Sequence, residues 1–193
     1  MKVFLLLFAF VAGGLCAYHN HTPPIEQCEI VTLGEMARPI DTEAVYWILK
    51  YNPRISEDEA IELFHHIERT VNKYHIDAEY NKGIARAVTP RLIVALILKE
   101  SGFRWSAISD HGAIGLCQVM PLHLNDLERA GIGTDLLDAE NNIEAGVYIL
   151  MGYAKRVDSV HKALSFYNAG PSRWKAGKGY ARAVLKLYKE MEG

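Results

Sequence analysis

Glu100 is a carboxylate at the end of a stretch that has little room for charge. Thr89 is a plausible N-cap and Pro90 suits a first helical position, so the sequence predicts a helix beginning here, with Leu92, Ile93, Leu96 and Ile97 at helical spacing. A helix apolar nearly all round is a buried one, and this one delivers Glu100 at its C-terminal end just before Gly102. Desolvation and the negative end of the helix dipole both disfavour an ionised carboxylate, so the pKa of Glu100 is expected to rise. A carboxyl that keeps its proton near neutrality is a general acid. By itself the pattern is ambiguous, because a Glu at a helix end followed by Ser-Gly is common and is mostly solvated. Downstream, Gly112-Ala113-Ile114-Gly115-Leu116-Cys117-Gln118-Val119-Met120-Pro121 places two glycines and a small residue where a chain must pass close to something. Gln118 stands there among apolar neighbours, and a buried amide needs partners.

Four pieces of the sequence together carry a resemblance. They are Glu100-Ser101-Gly102-Phe103; Ser109 followed by Gly112 to Pro121; Asn142-Ile143-Glu144-Ala145-Gly146-Val147-Tyr148-Ile149-Leu150; and Tyr167-Asn168-Ala169-Gly170-Pro171 with Tyr180 downstream. In this order they resemble the Slt-type lytic transglycosylases, which share a lysozyme-like fold with goose-type lysozymes, over about half of the chain, Thr89 to Leu185. Two positions depart from the pattern: Cys117 stands where the family usually has Met, and the acidic Glu-Thr-Arg element that often precedes the last tyrosine is absent before Tyr180.

The resemblance implies Glu100 as the catalytic acid, with Ser109, Gln118, Tyr167, Asn168 and Tyr180 as substrate-binding groups and Ser101 as a structural partner at the helix end. Tyr180 looks like the family tyrosine near the acid; Tyr167 and Asn168 look like cleft walls, where an aromatic face and an amide suit a sugar ring with its N-acetyl group. Without the resemblance, both tyrosines read equally as core residues with their hydroxyls reaching solvent. The implied reaction is cleavage of the β-1,4 bond between N-acetylmuramic acid and N-acetylglucosamine in peptidoglycan, with a 1,6-anhydro product. The implied partner is the glycan strand, within the cell wall or an assembly that spans it, met by a monomer and without cofactor or metal. A goose-type hydrolase is the alternative. It needs a second carboxylate, for which Asp110 stands at the right place in the sequence, although Asp110 also reads as a solvated turn residue beside His111 and Gly112. A wall-binding module that has lost the acid's environment is a further possibility.

The elements around these residues read as helices. At 193 residues, half of them hydrophobic, the chain can bury one substantial core, and a net charge of −2 gives no general attraction to nucleic acid. Glu57, Asp58, Glu59 and Glu62 form an acidic segment, while Arg173, Lys175, Lys178, Arg182, Lys186 and Lys189 run without an intervening acid; solvated helix faces explain both more simply than a patch for an anionic polymer. Asp41 caps a short helix carrying Val45, Ile48 and Leu49, which Asn52-Pro53 stops. Ser56 and Glu59 make a capping box ahead of the stripe Ala60, Ile61, Phe64, Ile67 and Val71. Within it Glu62-Leu63-Phe64-His65 spells the Glu-x-x-His of di-iron bundles, but such a site needs a second motif and two more inward glutamates, and no second motif is present. The other histidines show no metal-ligand spacing. Later helices are expected from Pro121 with Leu124 and Leu127, from Asn141 or Asn142 with Ile143 and Val147, from Asp158 with Ala163 and Leu164, and around Tyr180 and Val184.

No alternating strand is expected, so the fold class is mainly α: a lysozyme-like single globular domain with an N-terminal helical extension. Residues 1–17 read as a signal peptide, with Lys2, an apolar run from Val3 to Val11 and a cleavage site before Tyr18. Leu15 is not the small residue that lipidation of Cys16 requires, so simple secretion across the inner membrane to the periplasm or cell envelope is expected. Residues 18–40 read as an extended lead-in, 41–84 as helices packed on the core, and 85–193 as the catalytic core. Cys28 and Cys117 are expected to be free thiols.

Overall fold

The helix that ends at Glu100 is the centre of the fold, and its burial explains why the rest surrounds it. In the computed structural model, residues 39–77, 79, 80 and 82–193 are described, and the readings placed on 1–17, on 18–38 and on Cys28 lie outside them. Seven α-helices occur among the described residues: α1 (Thr42–Tyr51), α2 (Glu57–Ile76), α3 (Pro90–Glu100), α4 (Leu124–Arg129), α5 (Ala139–Ala154), α6 (Val160–Ala169) and α7 (Lys178–Glu192). In α3 every residue from Leu92 to Ile97 is buried, on all sides of the helix. Each of the Leu, Ile and Val side chains among them stabilises the fold by about 1.5–3 kcal/mol relative to exposure, so α3 cannot sit at a surface. It packs against α7, α2 and α1, while α7 also lies on α6, and α5 bridges α2 and α6.

The starts of the helices follow local chemistry. Thr89 accepts a hydrogen bond from Leu92 N at 3.2 Å and Pro90 occupies the first turn, so α3 begins where the sequence predicts. Ser56 and Glu59 form the full capping box at the head of α2. Asp41 caps α1 by accepting from Ala44 N, and its carboxylate also receives Nε and Nη2 of Arg91 at 2.6 and 2.9 Å. Arg91 donates through Nη1 to Met191 O at 2.9 Å, so one guanidinium joins α1, α3 and the end of α7. Burial pushes the Asp41 carboxyl up, but the Arg91 bonds and charge together with the Ala44 amide outweigh it and hold its pKa below the usual value.

Two helix starts differ from expectation. Helix α5 begins at Ala139, capped by Asp138 through a 2.9 Å bond from Asn141 N, rather than at Asn141 or Asn142. Asn142 lies inside the first turns, where its amide is needed for tertiary bonds. Helix α6 is capped by Ser159 rather than Asp158. Asp158 stands one residue too early to reach the orphan amides, and its carboxylate instead accepts from Ser159 Oγ at 3.4 Å and faces Lys162. Among the described residues only isolated bridges, Ile108 with Ile114 and Ile114 with Val119, interrupt the helical architecture, so the expected mainly α class holds. No helix among them is long and apolar enough to cross a membrane.

Candidate active site

Helix α3 presents Glu100, and α7 presents Tyr180 to meet it. The Tyr180 hydroxyl donates to Glu100 Oε1 at 2.6 Å, a short charge-assisted bond when the carboxyl is ionised. Burial raises the pKa of Glu100 to about 7 against opposing contributions from the Tyr180 bond and the Lys99 charge. Tyr180 itself is held well above the ordinary tyrosine range, first by burial and then by the neighbouring Glu100 charge, so it remains a donor.

The chain leaves Glu100 through a strained turn. Gly102 has φ 59° and Phe103 has φ 60°; the left-handed region suits glycine but is costly for Phe. Phe103 is held there because its side chain is fully buried and its carbonyl accepts from Asn52 Nδ2 at 3.2 Å. Ser101 is buried beneath the turn, its hydroxyl donating to Ile97 O at 3.3 Å, and Arg104 Nε donates to Ser101 O at 2.8 Å.

The glycine-rich loop is braced from α5 and α6. Asn142 Oδ1 accepts from Cys117 N at 2.8 Å, and its Nδ2 donates to Ile114 O and Leu136 O, both at 2.9 Å. Gly115 must be glycine: it has φ 78°, and a Cβ there would lie 2.3 Å from Asn142 Nδ2. Tyr167 donates to Cys117 O at 2.8 Å, so the Cys117 peptide is held on both sides. Gly146 allows this approach, since a Cβ would stand 2.6 Å from Cys117 Sγ. The buried Cys117 is a free thiol, raised above its ordinary pKa by burial and then by the charge of Glu100, whose field also reaches Tyr167.

The remaining sequence-derived site residues have the following places. Gln118, at φ 49°, donates its Nε2 to Ala107 O at 3.1 Å and Gly115 O at 2.9 Å, which closes the loop from inside. Ser109 Oγ accepts from Ala113 N at 3.0 Å and shapes the turn before the glycines. Asn168 is exposed at the end of α6, with no side-chain hydrogen bond among the described residues. Thus Glu100 and Tyr180 meet directly and Tyr167 stands behind them through Cys117. The side chains of Ser109, Gln118 and Asn168 make no hydrogen bond to Glu100. Sequence reading offered Asn142 as a helix start and as part of a family-like stretch but not as a site residue, yet it is the most connected polar side chain of the site. Its signal was an asparagine set among apolar helix positions, 1% exposed in the fold. Asp110 is exposed, and among the described residues no group of three His, Cys, Asp or Glu side chains is arranged to hold a metal.

The family model described as the Transglycosylase SLT domain matches residues 78–188, more than half of the chain. The chain belongs to this family. The SLT domain match takes in Glu100, the braced loop, Asn142, Tyr167 and Tyr180. Among solved structures, this SLT chain is similar to the 70 kDa soluble lytic transglycosylase SLT70 of Escherichia coli. The two are 21% identical with a TM-score of 0.46, over 79% of this chain and 27% of that one. The chain therefore spans about a quarter of the length of that protein.

Proposed function

We propose that this protein is a lytic transglycosylase acting on peptidoglycan, cleaving between N-acetylmuramic acid and N-acetylglucosamine and leaving a 1,6-anhydro-muramyl end. The observation that carries the reading is Glu100 itself, a largely desolvated carboxyl with a pKa near 7 and one oxygen occupied by Tyr180, inside an SLT domain. Because Oε1 accepts from Tyr180, the proton of the neutral acid belongs on Oε2. That proton goes to the glycosidic oxygen as its bond to C1 breaks. The electron-poor C1 is stabilised by the substrate's own N-acetyl oxygen, which makes a second protein carboxylate unnecessary. Glu100, now ionised and held by the Tyr180 hydrogen bond, takes the proton from the O6 hydroxyl, whose oxygen closes on C1. The acid is regenerated and no water is consumed.

In this reading Tyr167, Asn142 and Gln118 hold the loop facing the acid, Ser109 shapes its entry, and Asn168 is an exposed amide available to the sugar. Export to the cell envelope, removal of residues 1–17 and action as a monomer, alone or within a wall-spanning assembly, belong to the same proposal. Digestion of purified peptidoglycan followed by mass spectrometry tests it. Anhydro-muramyl ends are expected, and reducing ends, heavier by one water, would replace the transglycosylase reading with a hydrolase.

A further inference from the structure

Helix α7 carries Tyr180 to Glu100 on one side and a row of cations on the other. At about 100° per residue, Lys178, Arg182, Leu185, Lys186 and Lys189 fall within an arc of about 100°, and Tyr180 points about 170° away from its middle. The four cations are exposed along about 16 Å of helix, and Arg173 and Lys175 are exposed in the turn that leads into it. A solvated face accounts for such a run in a sequence, but the fold adds three features that a solvated face does not require. The first is a lack of neutralising acids. Among the described residues, the pair of Lys186 with Glu190 at 3.7 Å is the only ion pair that any of these cations makes. The acidic segment Glu57, Asp58, Glu59 and Glu62 stands instead on α2. The second is that apolar groups are set among the charges. Half-buried Leu185 lies within the row, and at its head the partly exposed Trp174 ring has Lys178 Nζ 4.8 Å and Lys162 Nζ 5.7 Å from its centre. The third is openness. The hollow along the row is lined by Arg182, Leu185, Lys186, Lys189, Glu190 and Gly193, so no second element among the described residues walls it.

A site for a linear polymer or a peptide needs walls that grip a strand. An unwalled row of cations along one helix face, with Leu and Trp among them, fits a plane of anionic groups above an apolar layer. We infer that this face of α7 docks on an anionic phospholipid surface, with Arg182, Lys186 and Lys189 meeting headgroup phosphates and Trp174 settling at the interface. Docked in this way, the protein keeps the bilayer on the far side of α7 from Glu100, and the acid stays open to substrate outside the membrane. The docking face does not use Glu100, so the inference stands apart from the proposed reaction.

Co-sedimentation of the full chain with phosphatidylcholine vesicles, with and without about one third phosphatidylglycerol, tests the inference. Neutral vesicles report the part of binding that does not depend on charge, any contribution of the apolar run Val3 to Val11 included. Anionic vesicles are expected to bind at least about a hundredfold more tightly at ~0.05 M salt and to lose most of that margin at ~0.5 M. Each basic residue near such a surface contributes about fivefold, so Arg182→Gln with Lys189→Gln should weaken binding to anionic vesicles by at least about tenfold. Circular dichroism should be unchanged, because both side chains are exposed. Arg69→Gln with Lys82→Gln alters net charge equally at exposed positions off the row and should leave binding within about twofold of wild type. No preference for anionic vesicles, or equal losses in the two double variants, overturns the docking face. Retention on soluble polyphosphate without binding to either vesicle would give the row to a linear polyanion and overturn the membrane assignment.

Discussion

Tyr180 donates to Oε1 of Glu100 across 2.6 Å, joining the last helix to the end of the central one. The bond favours the carboxylate, while burial favours the acid, and burial wins. That balance bears on the rate, on its pH dependence and on the pH dependence of stability.

Glu100→Gln keeps the size of the side chain and an oxygen that can accept from Tyr180, but it has no proton to give and retrieve. Cleavage of peptidoglycan should fall by at least about two orders of magnitude. Wall binding and circular dichroism should be unchanged. A variant with more than half the wild-type turnover would remove Glu100 from the mechanism.

Tyr180→Phe deletes a hydrogen bond that lowers the pKa of Glu100, so that pKa should move above about 7. The free enzyme needs Glu100 protonated, and activity therefore declines as pH rises through the pKa. The descending limb of the kcat/KM profile is expected at higher pH in the variant, with a lower plateau because the ionised intermediate state of Glu100 loses its donor. An unmoved limb would show that the Tyr180 bond does not tune the acid.

Stability should depend on pH through the same residue. Glu100 rises from 4.5 to about 7 on folding, so the native state holds a proton that the unfolded chain has released across this window. Stability is thus undiminished below about pH 4.5 and is lost as pH climbs toward 7, with a cost of about 3 kcal/mol above it. Denaturant unfolding of wild type and Glu100→Gln should give similar free energies at pH 4.5, and the variant should be the more stable at pH 8. A constant difference between the two would contradict the raised pKa.

Asn142→Ala leaves the Cys117 amide and the Ile114 and Leu136 carbonyls without their partner. A loss of about 3 kcal/mol in unfolding free energy is expected, since stranded buried polar groups cost about 1–3 kcal/mol each and water can reach some of them. Gly115→Ala should act on the same joint from the other side, because its Cβ has no space beside Asn142. A mild effect at both positions would mean that the loop is not held from α5.

Asp110→Asn distinguishes the two reactions. The Asp110 side chain is exposed, so the variant should keep most activity and both proteins should release anhydro ends. Reducing ends from wild type, lost in the variant, would make Asp110 the base that activates a water.

What the sequence alone determined was set by short-range physics. The apolar run Leu92–Ile97, the Thr89-Pro90 start and the Gly102 break give α3 and place a carboxylate at its buried end from local rules only. Capping by Ser56 and Asp41 was legible for the same reason. Caps were misplaced at α5, where Asp138 and not Asn141 or Asn142 accepts the first free amide, and at α6, where Ser159 does so and not Asp158, because spacing to that amide, and not residue type, decides. What only the tertiary structure decided was which polar groups meet. Tyr180 lies 80 residues from Glu100, Tyr167 50 from Cys117, and Asn142 25 from the amide it accepts. Gln118 read as a group for substrate or acid; the structure adds that its Nε2 donates to backbone carbonyls of its own loop. A hydrogen bond is specific to a few tenths of an ångström, and composition carries no such information. The packing of α7 on α3 and of α5 beneath the glycine-rich loop supplies it.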